Sequence, residues 1–325
     1  MDSMVAQDTD AVPRWLAQHV TGLKMNLPFR SKRRVWTSSE PTLLFWPPTW
    51  LSIPESVPGH PDVRILTQPA DLPSADIVIF HIPTVREIPK HRRGQIWVAA
   101  SMESDVNYRT LSNPEFMKKF DITMTYRRDS DVWTPYTWDG LSQRLRTPAL
   151  EKDGDALAAY FVSNRRDRSG RSRYAHNLMR HIDVASFGRH QQNRQLPDDN
   201  GIDTKLATIA RYKFTLAFEN SITPDYVTEK FFHPLCVGSV PVYMGAPNVA
   251  DFAPGENCYI DARDFSGPAE LAGYLRHLDS HPAEYASYLS WKERPFRDTF
   301  QEMVEVARVH PTARLLSLIK HSKEF

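Results

Sequence analysis

The chain has 325 residues, enough for two domains of ordinary size, and its 40 basic and 39 acidic residues give a formal net charge of +1. This balance gives no indication of a polyanionic partner, so we expect no binding of nucleic acid. The composition, 41% hydrophobic and 24% charged, is that of a globular protein and not of a disordered one.

The cysteines and the apolar runs indicate in which cellular compartment the protein is expected. Cys236 and Cys258 provide neither a disulfide framework nor the spacing of zinc ligands. No apolar run approaches the roughly 18 residues of a transmembrane helix, and residues 1–15 lack the apolar core of a signal peptide. We therefore predict a cytoplasmic protein without a transmembrane segment. The sequence does not define its oligomeric state.

The first half contains short apolar runs separated by loops. Helices are predicted at residues 14–23 and 116–120. Strands are predicted at Thr42–Trp46, 63–66, 77–80, 95–100 and 122–126. Such runs are typical of a parallel α/β sheet. Residues 148–155 are charged and poor in helix formers, so we place a linker there and predict two domains, 1–150 and 151–325.

A second α/β half follows the linker and ends in helices. Strands are predicted at residues 158–162, 184–187, Phe214–Phe218, Val240–Met244 and 258–260. Helices are predicted at 172–181, 205–212, 269–278, 284–291 and 297–308, and residues 312–320 either extend or repack the last of these. The two halves around one linker form a cleft.

Residues 212–245 form the centre of the second half. The run Phe214–Phe218 predicts a strand, and a turn at residues 223–225 follows it. An amphipathic helix begins at Thr228 and is stopped by Gly238, and Val240–Met244 predicts the next strand. This order is that of a βαβ crossover.

Polar residues lie where the first of these strands ends and the helix begins. They are Asn220, Tyr226, Glu229 and Lys230. Ligands of open α/β sheets bind outside the carboxyl ends of the strands, and helix N-termini favour anions. Residues that can bind hydroxyls and phosphate at this edge predict a nucleotide-sugar site. The alternative is that Glu229 and Lys230 are ordinary charges on an exposed first helical turn.

The segment FENSITPDYVTEK at residues 218–230 closely resembles the donor-site signature of the α-1,3-fucosyltransferases, glycosyltransferase family ten. The resemblance continues at RGQIWVAASMES (93–104), TYRRDSDVWTPY (125–136), YFVSN (160–164), 240–245 and 251–254. About residues 41–300 fit the family.

The resemblance implies an α/β fold of the GT-B type, with two Rossmann-like domains that face each other across a cleft. Residues 1–150 would bind the acceptor and 151–325 would bind GDP-fucose. The implied donor-binding residues are Ser163, Asn164, Arg171, Asn220, Tyr226, Glu229 and Lys230. Arg171 matches the diphosphate-binding arginine, with Arg173 as the alternative if the register differs by two. A solvated loop is the other interpretation of Arg171, because this stretch is rich in arginine.

Glu103 matches the general base of the family. An inverting transfer is a single displacement, in which a base takes the proton of the acceptor hydroxyl. Glu103 follows a predicted strand of the first half, so it would face the donor residues across the cleft. Its other interpretation is a helix cap or an acid of a first helical turn, since Ser101 and Ser104 flank it.

The segment Asp129-Ser130-Asp131 matches the Asp-x-Asp pattern that holds a divalent metal in other transferases. It follows Arg127 and Arg128, so local salt bridges are the better interpretation. The histidines show no convincing ligand spacing. We therefore predict that no cofactor is required and that a divalent metal is at most stimulatory.

The expected activity is transfer of L-fucose from GDP-fucose to O3 of N-acetylglucosamine in an oligosaccharide. The segments VTEKFF, GAPNVADFAP and SWKE resemble enzymes that act on the N-glycan core, whereas YRRDSD resembles the Lewis-antigen branch. We slightly favour the core. The alternatives are a transferase for another nucleotide sugar and an inactive sugar-nucleotide-binding homologue.

Overall fold

A computed structural model of the chain describes residues 40–47, 53–90, 94–196 and 198–321. The helix predicted at residues 14–23 lies outside these ranges. Within them, none of the helices combines the length and the apolar character that crossing a bilayer requires.

The first half is built on a parallel sheet. Within the described residues its strands are β1 (Thr42–Trp46), β2 (Arg64–Leu66), β3 (Ile77–His81), β4 (Ile96–Ser101), β5 (Ile122–Thr125) and β6 (Val132–Trp133), in the order β2-β1-β3-β4-β5-β6. Strand β4 is buried along its whole length, as expected of a central strand in a sheet that is covered on both faces. Glu103 follows its carboxyl end by two residues.

The second half is built on another parallel sheet. Its described strands are β7 (Ala158–Tyr160), β8 (Val184–Ser186), β9 (Phe214–Phe218), β10 (Val240–Met244) and β11 (Ile260–Asp261), in the order β11-β10-β9-β7-β8. Both β9 and β10 are fully buried. The predicted strands are therefore present in both halves, and only the two-residue β6 was missed.

Helices accompany both sheets. In chain order the described helices are α1 (Pro114–Met117), α2 (Leu141–Leu145), α3 (Arg171–Leu178), α4 (Ile202–Ala210), α5 (Glu229–Cys236), α6 (Pro268–Ser280), α7 (Pro282–Ser287), α8 (Asp298–Arg308) and α9 (Pro311–His321). The segment predicted as one helix at 284–291 is divided between α7 and a 3-10 turn at Ser290–Glu293. Helix α2 was not predicted.

The second sheet is covered on both faces. Alternate residues of its strands point to opposite faces, and each face packs against its own set of helices. Leu216 and Val242 pack in a cluster with residues of α3 and α6. Ala217 and Tyr243 pack in a second cluster with residues of α5 and α8. This arrangement fixes α5 against β9 and β10, with its N-terminus at the carboxyl edge of the sheet.

Two helices pack in the half to which they do not belong by sequence. Leu141 and Leu145 of α2 precede the linker, yet they pack in the cluster that contains α5. Leu315 and Leu316 of α9 pack against the first sheet, together with Leu43, Ile77 and other strand residues. The last helix is thus separate from α8 and completes the core of the first half.

Candidate active site

The strand order of the second sheet produces a crevice at the carboxyl ends of β7 and β9. The chain places β8 on one side of β7 and then places β9, β10 and β11 on the other side, so the strand order reverses between β7 and β9. Ligands of open α/β sheets bind at such switch points. The loop after β7 carries Ser163 and Asn164, and the loop after β9 begins with Glu219 and Asn220. The two loops touch, since the Arg168 N–H donates to the Asn220 carbonyl at 2.7 Å.

Arg171 connects the end of β9 to the loop that follows β7. It is the first residue of α3, and its side chain is fully buried, at 1% exposure. One terminal nitrogen donates to the Phe218 carbonyl at 3.2 Å, and the other donates to the Asn164 carbonyl at 2.8 Å. The buried Nε has no hydrogen-bond partner in the described structure. The guanidinium therefore holds the two loops of the crevice together, and its Nε–H makes no hydrogen bond within the described structure.

A buried carboxylate fixes the start of α5. Glu219 is fully buried, and its two oxygens accept from the backbone N–H and the hydroxyl of Thr228 at 2.8 and 2.9 Å. Thr228 is also the N-cap of α5, accepting from the Lys230 N–H. Burial raises the pKa of Glu219, and the nearby Lys230 cation opposes this rise. The pair Glu219 and Thr228 thus positions the first turn that carries Glu229 and Lys230.

Lys230 lies between two carboxylates. Its ammonium is 3.1 Å from Glu229 Oε1 and 3.5 Å from Glu219 Oε2. Burial alone would lower the pKa of Lys230, but the two carboxylates outweigh burial and raise it. Burial would likewise raise the pKa of Glu229, but Lys230 and Lys205 reverse the direction and hold it at about 2. Both side chains are therefore charged at neutral pH.

The opposite wall comes from the first half. The Ser101 hydroxyl at the end of β4 donates to the Glu103 carbonyl and accepts from the Glu103 N–H, both at 3.0 Å. These bonds form a tight turn that presents a half-buried Glu103 at the sheet edge. No hydrogen bond or ion pair engages its carboxylate among the residues that the structure describes. A carboxylate in this state can accept a proton from a ligand.

Two tyrosines line the space between these walls. The ring centroids of Tyr136 and Tyr226 are 5.8 Å apart in an edge-to-face contact. Burial raises the pKa of both phenols, and the negative charges of Glu103 and Glu229 raise it further. The tyrosines therefore stay protonated, and the Tyr136 hydroxyl donates its hydrogen bond to the Met102 carbonyl.

These side chains surround one pocket of about 330 Å³, which is within the size range of small-molecule sites. Its lining consists of Glu103, Tyr136, Phe161, Val162, Ser163, Asn164, Arg171, Asn220, Tyr226, Thr228, Glu229 and Lys230. The pocket joins a carboxylate of one half to cations, an amide and a second carboxylate of the other. It can hold a polar, anionic ligand next to a proton acceptor.

Comparison with known proteins identifies the family. The family model described as "Glycosyltransferase family 10 (fucosyltransferase) C-term" matches residues 151–324, and the one described as "Fucosyltransferase, N-terminal" matches residues 38–137. The chain belongs to glycosyltransferase family 10. This membership confirms the predicted enzyme class, that of a fucosyltransferase.

Two human relatives resemble this fucosyltransferase over most of its length. The 3-galactosyl-N-acetylglucosaminide 4-alpha-L-fucosyltransferase FUT3 is 37% identical over 286 residues, covering 82% of this chain and 77% of the relative. The 4-galactosyl-N-acetylglucosaminide 3-alpha-L-fucosyltransferase FUT6 is 38% identical over 275 residues, covering 78% of this chain and 74% of the relative.

Solved structures agree with the fold. The crystal structure of an alpha1,3-fucosyltransferase with GDP superposes with a TM-score of 0.52 at 16% identity, covering 91% of this chain and 94% of that chain. The same comparison for a structure with GDP-fucose gives 0.50 at 15% identity, covering 89% and 94%. The predicted GT-B type architecture, with two parallel-sheet domains, is confirmed.

All the side chains predicted for the site of this fucosyltransferase line the one pocket. Arg171, not Arg173, faces it, because Arg173 is exposed on the outer side of α3. Sequence analysis missed Tyr136, Thr228 and the buried Glu219. Tyr136 ends one family-like segment, and the other two lie inside the FENSITPDYVTEK signature, so a signal was present for each of them.

The Asp-x-Asp segment of the fucosyltransferase is committed to local contacts. The Arg127 guanidinium pairs with both oxygens of Asp129, at 2.9 and 3.1 Å. Asp131 accepts from the N–H and the hydroxyl of Thr123, both at 2.8 Å. The predicted salt bridge is confirmed for Asp129. Among the described residues, three exposed side chains elsewhere could hold a metal together, namely His277 of α6, His281 between the two helices and Glu284 of α7, all outside the pocket.

Proposed function

We propose that the protein is an inverting α-1,3-fucosyltransferase that moves L-fucose from GDP-fucose to O3 of an N-acetylglucosamine within a glycan. One observation carries this proposal. A single pocket joins the unpartnered Glu103 carboxylate of the first half to the Lys230, Glu229 and Asn220 cluster of the second. Family membership supports the donor, and crystal structures of family-like enzymes with GDP and GDP-fucose support it further.

The second half would hold the donor. GDP gathers negative charge as it leaves, and preorganised cations stabilise such charge most when water is excluded. Lys230 supplies an ammonium whose raised pKa keeps it charged. Arg171, which also lines the pocket, supplies the positive charge of a buried guanidinium. Ser163 and Asn164 would contact the nucleoside, and Glu229, Tyr226 and Asn220 would bind hydroxyls of ribose or fucose.

The first half would supply the base. Glu103 accepts the proton of the acceptor O3 while that oxygen attacks the anomeric carbon of fucose. The bond from this carbon to the GDP oxygen breaks in the same step, so the configuration inverts. General base catalysis of this kind contributes on the order of 10²–10⁴-fold to the rate. The donor and acceptor walls face each other across the pocket, as a single displacement requires.

The acceptor is an N-acetylglucosamine in one of two settings. The printed names of FUT3 and FUT6 specify galactosyl-N-acetylglucosaminides, which favours a galactosylated acceptor here. The segments VTEKFF and SWKE favour the N-glycan core instead. We propose the galactosylated acceptor first, because the relatives resemble the chain over about four-fifths of its length. Turnover of a panel of lactosamines and chitobiose-core glycans decides between the two.

Donor specificity is testable by thermal unfolding. GDP and GDP-fucose should stabilise the protein, whereas UDP-sugars should not. A ligand at 100 times its dissociation constant adds about 2.7 kcal/mol to the free energy of unfolding. Equal stabilisation by UDP-sugars would show that the chain uses another nucleotide sugar. Binding of GDP-fucose without turnover of any acceptor would favour an inactive homologue.

Metal independence is a further part of the proposal. Cationic side chains are available for the diphosphate, and Asp129 and Asp131 are engaged with Arg127 and Thr123. Activity should therefore persist in EDTA, with at most a modest increase on adding Mn²⁺ or Mg²⁺. Complete loss in EDTA, restored by either ion, would contradict this part alone.

A further inference from the structure

A short turn of the first half is held by the second half. Residues 104–108, which we call the interdomain turn, directly follow Glu103. The Ser221 hydroxyl donates to the Ser104 hydroxyl at 2.6 Å, and both residues are fully buried. The Thr223 hydroxyl donates to Asp105 Oδ1 at 3.0 Å. The turn therefore belongs to one half by sequence and is fastened to the other by hydrogen bonds.

Two further contacts extend this attachment to the nucleotide side of the pocket. The Asn107 amide Nδ2 donates to Asn220 Oδ1 at 2.8 Å. The Arg166 guanidinium lies 4.7 Å from the centroid of the Tyr108 ring, in cation–π geometry. Only Val106 in the turn points away, and it is exposed at 37%. Asn220 lines the pocket and Arg166 lies in the loop that precedes α3.

The bond from Asn107 sets the orientation of a pocket side chain. Because Asn220 Oδ1 accepts from Asn107, the Nδ2 of Asn220 is directed away from that bond and can donate to a ligand. The Asn107 Oδ1 is buried and has no hydrogen-bond partner in the described structure. An unsatisfied buried acceptor costs free energy, so this geometry is maintained by the surrounding contacts.

Glu103 lies between two fixed points. On one side Ser101 holds its backbone to the end of β4. On the other side Ser104, the next residue, is bonded to Ser221 of the second half. A shift of the second half relative to the first therefore changes the position of Glu103 directly. A base must approach the acceptor hydroxyl to hydrogen-bond distance, so small shifts affect the rate.

We propose that the interdomain turn couples occupation of the donor site to the placement of Glu103, and that Asn107 is a positioning residue in this coupling. The proposal rests on the function assigned to the pocket above. A donor that binds Asn220 stabilises the orientation in which Asn220 accepts from Asn107. The turn is then held in place, and Glu103 faces the acceptor site. By reciprocity, the acceptor binds more tightly when the donor site is filled.

Calorimetry with two probes tests this coupling. The affinity for N-acetyllactosamine, or for a chitobiose-core glycan if the acceptor panel selects it, is measured with and without saturating GDP. In the native protein we expect GDP to strengthen acceptor binding by about 5-fold or more, the lower end of typical coupling. In Asn107→Ala the ratio should approach 1, and kcat should fall about 10-fold or more, because misplacing a catalytic group by about 1 Å can cost about 100-fold in rate. Affinity for GDP alone should change much less.

Val106→Ala is the matched control, because Val106 lies in the same turn and makes none of these bonds. Its coupling ratio and kcat should equal those of the native protein. Should Asn107→Ala fold poorly, Thr223→Val removes the Asp105 contact from the opposite side and should lower the ratio in the same direction. Native-like coupling in folded Asn107→Ala, or no coupling in the native protein, overturns the proposal. Absence of turnover from GDP-fucose in the native protein instead overturns the proposed function.

Discussion

The two acidic side chains on opposite walls of the pocket have different surroundings. Glu229 lies beside Lys230, with a pKa held at about 2 by neighbouring cations. The Glu103 carboxylate has no partner among the described residues. An ion-paired carboxylate with a low pKa is a poor proton acceptor and a good hydroxyl-binding group. This difference in environment supports the proposal that Glu103 is the base and that Glu229 binds the donor.

Glu103→Gln and Glu229→Gln should therefore fail in different ways. Glu103→Gln keeps the shape of the side chain but removes the base, so single-turnover transfer should fall at least about 100-fold. Its affinity for GDP-fucose, measured by calorimetry, should barely change. Glu229→Gln should weaken GDP-fucose binding itself. Glu256→Gln, an exposed acid, serves as the control and should match the native protein in both assays. Loss of donor binding in Glu103→Gln would place the base elsewhere.

His233 of α5 should make the stability of the fold depend on pH. It is buried, its Nδ1 has no partner in the described structure, and Trp138 packs against its ring. Burial, together with Lys205, lowers its pKa to about 4. Between this value and the ordinary pKa of 6.5, the unfolded chain binds more protons than the folded one. Stability should therefore fall as the pH is lowered through this window.

The variant His233→Gln tests this effect, because glutamine does not titrate. Melting temperatures of the two proteins are compared at intervals from pH 7 to 4.5. The native protein should lose stability more steeply than the variant as the pH falls. Parallel curves would mean that His233 is protonated or hydrogen-bonded in the folded state.

At the scale of elements, α5 is the helix whose first turn carries Glu229 and Lys230 into the pocket. It starts after the Thr228 cap, packs Phe231 and Leu235 into the core, and ends at Cys236, two residues before Gly238. Gly238 has a φ of +67°, in the left-handed region that glycine adopts without strain, so it terminates the helix as predicted. The helix is short, and its position depends on its cap and on its packing more than on intrinsic propensity.

Thr228→Val should therefore disturb both the fold and the site. The substitution removes the N-cap and one of the hydrogen bonds to the buried Glu219. Loss of a cap costs about 0.5–2 kcal/mol, and we expect the upper part of this range in denaturant unfolding. GDP affinity should also fall, because Lys230 follows the cap by two residues. Thr208→Val is the control, since its hydroxyl bonds only to a carbonyl four residues earlier in α4. Equal effects of the two substitutions would show that the cap does not position the site.

The sequence was sufficient to predict every described strand except the two-residue β6, and most of the residues that line the pocket. Runs such as Phe214–Phe218 and Val240–Met244 are apolar throughout because both faces of the sheet are covered, and they were placed without error. Asn220, Tyr226, Glu229 and Lys230 were recognisable because they lie close together in the sequence, where a strand ends and a helix begins. The role of Glu219 was less accessible, because its burial and its bond to Thr228 depend on how the turn folds back over β9. The contacts of residues 104–108 could not be predicted for the same reason, since the second-half partners of Ser104, Asp105 and Asn107 lie more than 100 residues away.

At the scale of the whole molecule, the last described helix of the chain packs against the sheet of the first half. Helix α8 packs in the core of the second half, through Phe300 and Met303. Helix α9 packs against the first sheet, and the Arg314 guanidinium donates to the Trp133 carbonyl of β6 at 2.6 Å. The sheet that carries Glu103 is therefore completed by residues from the opposite end of the chain. Neither half has a core formed by one continuous segment.

Leu316→Ala should destabilise the first half and leave GDP binding by the second half unchanged. Leu316 is fully buried against the first sheet, and truncating a buried leucine to alanine costs about 2–5 kcal/mol. The midpoint of denaturant unfolding should fall accordingly, whereas Lys320→Ala, an exposed position on the same helix, should leave it unchanged.

GDP affinity in the folded Leu316→Ala protein should stay close to the native value, because the buried leucines of α9 pack in the core of the first sheet and no residue of α9 lines the pocket. If the first sheet loosens, transfer should suffer more than donor binding, since Glu103 depends on the position of β4. A variant with native stability would show that α9 is not part of the first core. A variant that loses GDP binding in proportion to its stability would instead show that the two halves unfold as one unit.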